Sequence, residues 1–338
     1  MITLSPPPLE IQPWQQELAA AITDVHELLS LLELEEGDLV GGVSPAAAGG
    51  FRLRVPRYFA GLMRRGDPDD PLLAQVLPRA AEDHVVEGYV KDPVDDLAAA
   101  CAHGILQKYR GRALMITTGA CAVHCRYCFR RHFPYAEQSV LPHWQAALQA
   151  LHALPDISEL ILSGGDPLSL ADGRLSRLVT AAEEIPHLRR LRIHTRLPVV
   201  LPARITQSLA ELLSHSRLQT VMVIHANHPN EITAALGQAL GELRSRGTSL
   251  LNQAVLLKSV NDDADTLAEL SESLLGIGVL PYYLHLLDPV AGAAHFDVPV
   301  EQAQGLLEQL RARLPGYLVP RLVRELAGQP FKVPISPQ

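Results

Sequence analysis

Several things are scarce in this chain, and each scarcity excludes something. No run of roughly 18 uncharged apolar residues occurs, so hydropathy gives no membrane-spanning helix. The opening MITLSPPPLEIQPWQQ has no basic stretch leading into an apolar segment, so no secretory leader is expected and a cytoplasmic location is. A basic face is lacking too: the net charge is −8, which argues against broad nucleic-acid binding, since phosphate neutralisation needs clustered cations. Lysine is nearly absent, occurring only at Lys91, Lys108, Lys258 and Lys332. There is no low-complexity tract and no repeat of fixed period. Cysteine is also rare, at Cys101, Cys121, Cys125 and Cys128. So few thiols in 338 residues do not make a secreted disulfide framework. What is plentiful is apolar surface: 47% hydrophobic against 20% charged residues is enough for a sizeable core and excludes global disorder.

The pattern along the chain changes near residue 106. Before it, residues 1–105 read as a mainly helical region, with apolar spacing near 3.6 over Trp14–Leu32 and Asp70–Val86. From 106 to 290, short apolar runs alternate with helical stretches. The runs are Ala113–Thr118, Glu159–Ser163, Leu191–Thr195, Thr220–His225, Leu250–Leu257 and Leu280–Leu287. Helices are expected around Trp144–Leu154, Leu175–Glu184, Ile205–Ser214, Glu231–Ser245 and Ala264–Leu275. Such alternation implies right-handed crossovers and a parallel sheet, here an α/β partial (βα)6 barrel. Residues 291–338 add a helix over Val300–Leu314 and a proline-broken tail, read as extended and docked on the rest.

Each run empties into polar, glycine-bearing or titratable residues, as expected on the face where an α/β barrel builds its active site. The first such loop holds Cys121-Ala-Val-His-Cys125-Arg-Tyr-Cys128, a C-x3-C-x2-C spacing. Thiolates bind iron–sulfur clusters, normally one per iron, so three thiolates leave one iron of a four-iron cluster open to a ligand. The alternative is a structural zinc completed by His124 or His132.

CAVHCRYC resembles the signature of radical S-adenosylmethionine enzymes. That resemblance implies a [4Fe-4S] cluster on Cys121, Cys125 and Cys128, with S-adenosylmethionine on the open iron as the source of a 5′-deoxyadenosyl radical. Ser163-Gly164-Gly165-Asp166 is similar to the glycine-rich stretch that meets S-adenosylmethionine in that family, where glycine permits close backbone approach. The likeness extends to CRYCFRRHFPY, ILSGGDPL, RIHTRLPVVLPARIT, NHPNEIT, NQAVLLKSVND, PYYLHLLDPVAGAAHF and GYLVPRLVRELAG. Together these segments resemble the lysine 2,3-aminomutase family, which also uses pyridoxal 5′-phosphate and moves an amino group between Cα and Cβ.

Pyridoxal 5′-phosphate needs a lysine. Position at a strand end points to Lys258, whereas the resemblance selects Lys332. It further implies that Tyr109 packs on the pyridine ring while Lys108 and Arg112 meet the phosphate. By the same resemblance Arg130 grips the substrate carboxylate, and Asp288 and Glu325 read the ε-ammonium of L-lysine. The absence of cysteine beyond Cys128 resembles the short bacterial form that makes (R)-β-lysine for elongation factor P. A lysyl-tRNA-synthetase-like ligase attaches the product in that system. The implied partners are therefore L-lysine, an external one-electron reductant and, functionally, elongation factor P with its ligase; further copies of the chain are an option. A catabolic lysine or glutamate 2,3-aminomutase and a non-catalytic zinc protein are the competing readings.

Overall fold

The apolar runs are too short for helices, and one of them is too continuously apolar for a strand with one wet face. In Glu159–Gly164 the first five residues are all buried, as for a strand covered on both sides. The computed structural model describes residues 12–140 and 143–336. The first eleven residues, on which the reading of a missing leader rests, lie outside the described residues.

Ten strands form one sheet in chain order. They are β1 (Ala100–Ala102), β2 (Ile105–Leu106), β3 (Arg112–Thr118), β4 (Glu159–Gly164), β5 (Arg190–Thr195), β6 (Gln219–Ile224), β7 (Ser249–Val255), β8 (Leu280–His285), β9 (Arg321–Arg324) and β10 (Val333–Pro334). Strands β3 to β9 run parallel, each paired with the next. At the margins β1, β2 and β3 pair antiparallel, and β10 folds back on β9. The six expected strands are thus β3 to β8, and the tail extends the sheet with β9. Between them lie the helices Trp144–His152, Asp172–Glu183, Gln207–His215, Ala234–Ser245 and Ala264–Gly276. The last three start where Thr206, Thr233 and Asp263 cap backbone N–H groups of the first turn.

The sheet is curled. On a flat sheet the six spacings from β3 to β9 would come to ~29 Å at ~4.8 Å each. Yet Lys108, just before β3, lies with Nζ 3.1 Å from Oε1 of Glu325, just after β9. Only a sheet wrapped most of the way round an axis brings those residues together, which makes the fold a partial barrel.

The N-terminal region differs in detail from expectation. Trp14–Leu32 is two helices, Pro13–Ala19 and Val25–Leu31, because Ile22 leaves the helix to pair with Val55 and Asp24 caps the second start. Asp70–Val86 yields only one α-turn, Pro71–Ala74, and a 3-10 turn, Ala80–Asp83. Pro78 removes an N–H and disfavours the helical conformation of Leu77, so the periodicity there reflects burial without a helix. The region shares one apolar core with the barrel, from Trp14 and Phe59 through Leu162 and Ile193 to Leu322. Among the described residues no helix is long and apolar enough to cross a membrane.

Candidate active site

A cavity of about 460 Å³ occupies the barrel interior. Lys108, Tyr109, Arg112, Cys121, Cys125, Cys128, Arg130, Ser163, Gly164, Gly165, Asp166, Asp288, Glu325 and Lys332 all line it. They arrive from the β2–β3 connection, the loops after β3, β4 and β8, and the tail. Lys258 does not line it: its side chain is exposed, with only its N–H engaged, on the Phe296 carbonyl. Its place at a strand end does not bring Lys258 to the cavity, because the chain turns outward after Leu257. Phe331 is also exposed, so the tail docks through β10 and the half-buried Val333 and Ile335 instead.

The glycines after β4 serve loop-to-loop packing. Gly165 N–H donates to the Thr118 carbonyl at 2.6 Å and Asp166 N–H to the Ala120 carbonyl at 2.8 Å. A Cβ on Gly165 would sit 2.4 Å from the Ala120 oxygen, and Gly164 has φ +114. Their backbone thus lies directly on the cysteine loop, a contact no side chain permits. Gly165→Ala is expected to push that loop away, costing about 1–3 kcal/mol of stability as an overpacked contact. Thermal melting and iron content after reconstitution should both fall; an unchanged iron content would show that the loop contact is incidental.

Asp166 itself departs from the expectation of a cofactor contact. Its two oxygens accept from Thr195 Oγ1 (2.7 Å), Arg196 N–H (2.8 Å), Leu197 N–H (2.9 Å) and Leu168 N–H (3.0 Å). A carboxylate has about four acceptor positions, and these are all taken. Burial pushes its pKa up, and the Thr195 and backbone donors pull it back only in part. Asp166 therefore fastens the turn after β5 to the turn after β4, and holds no donor-seeking face toward a ligand.

Around the cysteines the chain supplies cations that no motif advertised. Arg196 Nη1 donates to Cys125 Sγ at 2.8 Å, and Arg196 Nη2 to Gln75 Oε1 at 2.7 Å and Glu231 Oε2 at 3.1 Å. Asn227 Nδ2 completes the network, donating to the Tyr127 hydroxyl at 2.7 Å and to Gln75 at 2.9 Å. Arg126 and Arg131 both pair with the buried Glu82, bolting the cysteine loop to the N-terminal region. Burial raises the Cys121 thiol well above its usual range and Cys128 to about 11, and neighbouring cysteines add to both shifts. Three thiols that sense one another across a cavity suit a group that delivers positive charge. Among the described residues no three His, Cys, Asp or Glu side chains converge on a single ion. A cluster that gives each thiolate its own iron does not require such convergence. Of the histidines a zinc site would borrow, His124 bonds the Arg52 carbonyl through Nδ1 at 2.7 Å and His132 the Ala291 carbonyl through Nε2 at 3.1 Å; each keeps one ring nitrogen, but among the described residues neither converges with the cysteines on one ion. The donor set fits an iron–sulfur cluster.

The other half of the cavity is a chain of alternating charge. Lys332 Nζ pairs with Glu325 Oε2, Glu325 Oε1 with Lys108 at 3.1 Å, Lys108 with Asp96 at 2.7 Å, and Asp96 with Arg130 at 2.6 Å. Burial would raise Glu325, but Lys332 and Lys108 override it and hold it at about 2. Asp288 shows the opposite balance: burial pushes it to about 7, and Lys332 offsets only part. Lys108 spends its ammonium on Asp96, Glu325 and the Val94 carbonyl at 2.7 Å. It has therefore no donor left for a phosphate, contrary to the sequence expectation, because two carboxylates compete for it. Arg112 differs: its Nε is buried without a partner, and its guanidinium lies 4.6 Å from the Tyr109 ring centre. His194 Nε2, His285 Nε2 and Asp288 Oδ1 are likewise buried and unpartnered, and all line the cavity. Buried polar atoms without partners are costly, so a cavity ringed by them fits polar, charged occupants such as pyridoxal 5′-phosphate and an amino acid.

Set against models of known protein families, the chain matches none. Individual proteins match closely. It is 49% identical over 340 residues to L-lysine 2,3-aminomutase of Escherichia coli, covering 100% of this chain and 98% of that protein. The L-lysine 2,3-aminomutase of Haemophilus influenzae is 49% identical over 324 residues, covering 96% and 95%. That of Clostridium subterminale is 32% identical over 326 residues, covering 96% of this chain and 78% of that protein.

Proposed function

The chain belongs to the L-lysine 2,3-aminomutase family, and from that membership we propose that it moves the α-amino group of L-lysine to Cβ, giving (R)-β-lysine destined for elongation factor P. As a family member it is an isomerase that works with an iron–sulfur cluster, S-adenosylmethionine and pyridoxal 5′-phosphate. These groups supply the radical and the electron sink; the remaining work falls to the residues of the chain.

One observation carries the substrate assignment: the cavity offers opposite charge at separate places. Arg130 supplies a cation for an α-carboxylate, and Asp288 supplies a carboxylate with an unpartnered oxygen for a distal ammonium. A substrate ending in a carboxylate, as glutamate does, would meet Asp288 with the wrong sign. Cys121, Cys125 and Cys128 would hold the cluster, and Ser163 with the Gly164–Gly165 backbone would flank S-adenosylmethionine. Lys332 would hold pyridoxal 5′-phosphate against Tyr109, with Arg112 at the phosphate. The wrapped sheet keeps water from reactive species in the interior. An external one-electron reductant has to charge the cluster.

The decisive experiment is chiral analysis of the product formed from L-lysine by reduced protein with both added cofactors. Recovery of (R)-β-lysine supports the reading, and recovery of the other enantiomer or of β-glutamate from glutamate overturns it. Borohydride reduction of the same preparation is expected to leave the pyridoxyl label on Lys332; a label on Lys258 would overturn that assignment. The link to elongation factor P extends the resemblance set out above. Its test is the mass of elongation factor P from cells with and without the chain.

A further inference from the structure

Asp96 carries no motif signal and comes from the N-terminal region, yet it is only 1% exposed and lines the cavity. Its oxygens divide between two cations: Oδ2 accepts from Arg130 Nε at 2.6 Å, and Oδ1 lies 2.7 Å from Lys108 Nζ. Its own backbone is held in turn. The Asp96 N–H donates to Asp92 Oδ1 at 3.0 Å, and its carbonyl accepts from Ala99 N–H at 3.2 Å. Arg130 Nη1 reaches Ser163 Oγ at 3.1 Å. With Nε on Asp96 and Nη1 on Ser163, both the direction and the plane of the guanidinium are set. Burial alone would raise the Asp96 pKa, but Arg130 and Lys108 outweigh it, so the carboxylate stays charged.

We propose that Asp96 is the positioning residue for the carboxylate end of the substrate: it fixes the Arg130 fork and, through Lys108, ties it to Glu325 on the far side of the seam. The inference rests on the reading of Arg130 as the carboxylate ligand. Planar recognition by arginine depends on the orientation of the fork as well as on its charge, so an arginine free to swing binds a carboxylate less well. Charge matters too. Without a carboxylate between them, Arg130 and Lys108 would be two buried cations with one partner fewer, and each would compete for the substrate carboxylate or for Glu325. The simpler alternative is that Asp96 merely pins the 92–99 loop to the barrel.

The test uses cofactor-loaded protein without reductant, so that no turnover occurs. Binding of L-lysine and of L-lysinamide, which lacks the carboxylate charge, is followed through the visible absorbance of bound pyridoxal 5′-phosphate. For Asp96→Asn the Kd of lysine is expected to rise about 30-fold, while that of lysinamide changes less than about threefold. Iron content, and cleavage of S-adenosylmethionine measured separately with reductant added, should match the unaltered protein, and Asp96→Glu, which keeps the charge, should recover part of the lysine affinity. An unchanged lysine Kd overturns the proposal. So does an equal loss for both ligands accompanied by a lower melting temperature, the signature of a loop pin. If the unaltered protein itself binds lysinamide as well as lysine, the reading of Arg130 fails and this inference fails with it.

Discussion

Cys125→Ala is expected to abolish cluster binding and cleavage of S-adenosylmethionine, while Cys101→Ala leaves both at the level of the unaltered protein. The contrast follows from placement. Cys125 lines the cavity beside Cys121 and Cys128, and Arg196 donates to its sulfur. Cys101 is exposed on β1, its sulfur 3.6 Å from the Ile105 carbonyl. Losing one of three protein ligands leaves a cluster with two open irons, a form that would not survive purification. It also takes one partner from Arg196, a buried cation left with Glu231, Gln75 and Tyr127. Iron analysis and absorbance near 400 nm on anaerobically purified protein check both halves. A cluster retained in Cys125→Ala would remove the loop from the metal site.

Asp288→Asn is expected to weaken lysine use strongly without touching the cluster. A buried ammonium needs a paired carboxylate, and removing one partner of such a pair costs about 2–5 kcal/mol, roughly 30- to 5,000-fold in binding. Norleucine lacks the ammonium and should be handled no worse by the variant than by the unaltered protein. An undiminished preference for lysine over norleucine in Asp288→Asn would sink the ammonium-reading role. The pH dependence follows with a definite sign. Asp288 titrates at about 7 in the structure. Below that it is a neutral acid and cannot pair with an ammonium, so kcat/KM for lysine should fall with one-proton slope as pH drops through about 7. The asparagine variant should lack that limb. Arg130→Lys should also be impaired, because lysine keeps the charge but loses the fork.

The strands of the barrel were legible because each is a buried apolar run ended by polar residues, and all six were placed within two residues of their observed ends. The cysteine segment announced itself by spacing, and the glycine segment by its resemblance to a known family. Their partners did not. Gln75 and Glu82 lie where the spacing reads as helical but only short turns form, Asp96 lies in a loop with no period to read, and all three reach the site only through tertiary contacts. Asp166 misled for a different reason: its neighbours are glycines in a loop, which suggested ligand contact, whereas three of the four donors that saturate it come from a turn about thirty residues on. Lys108 misled because no motif links it to the two carboxylates that engage it: Asp96 sits in a loop without a period, and Glu325 is 217 residues away in sequence.

That long reach has a consequence for how the protein comes into being. A chain emerging from the ribosome delivers its N-terminal part first, and contacts of large sequence separation form late because loop closure must precede them. Cys121, Cys125 and Cys128 are available early. Glu325 and Lys332, which close the ring with Lys108, leave the ribosome almost last. A nascent chain that already carries its three cysteines still lacks the two residues that complete the ring of charge, so it cannot grip an amino acid in the finished geometry.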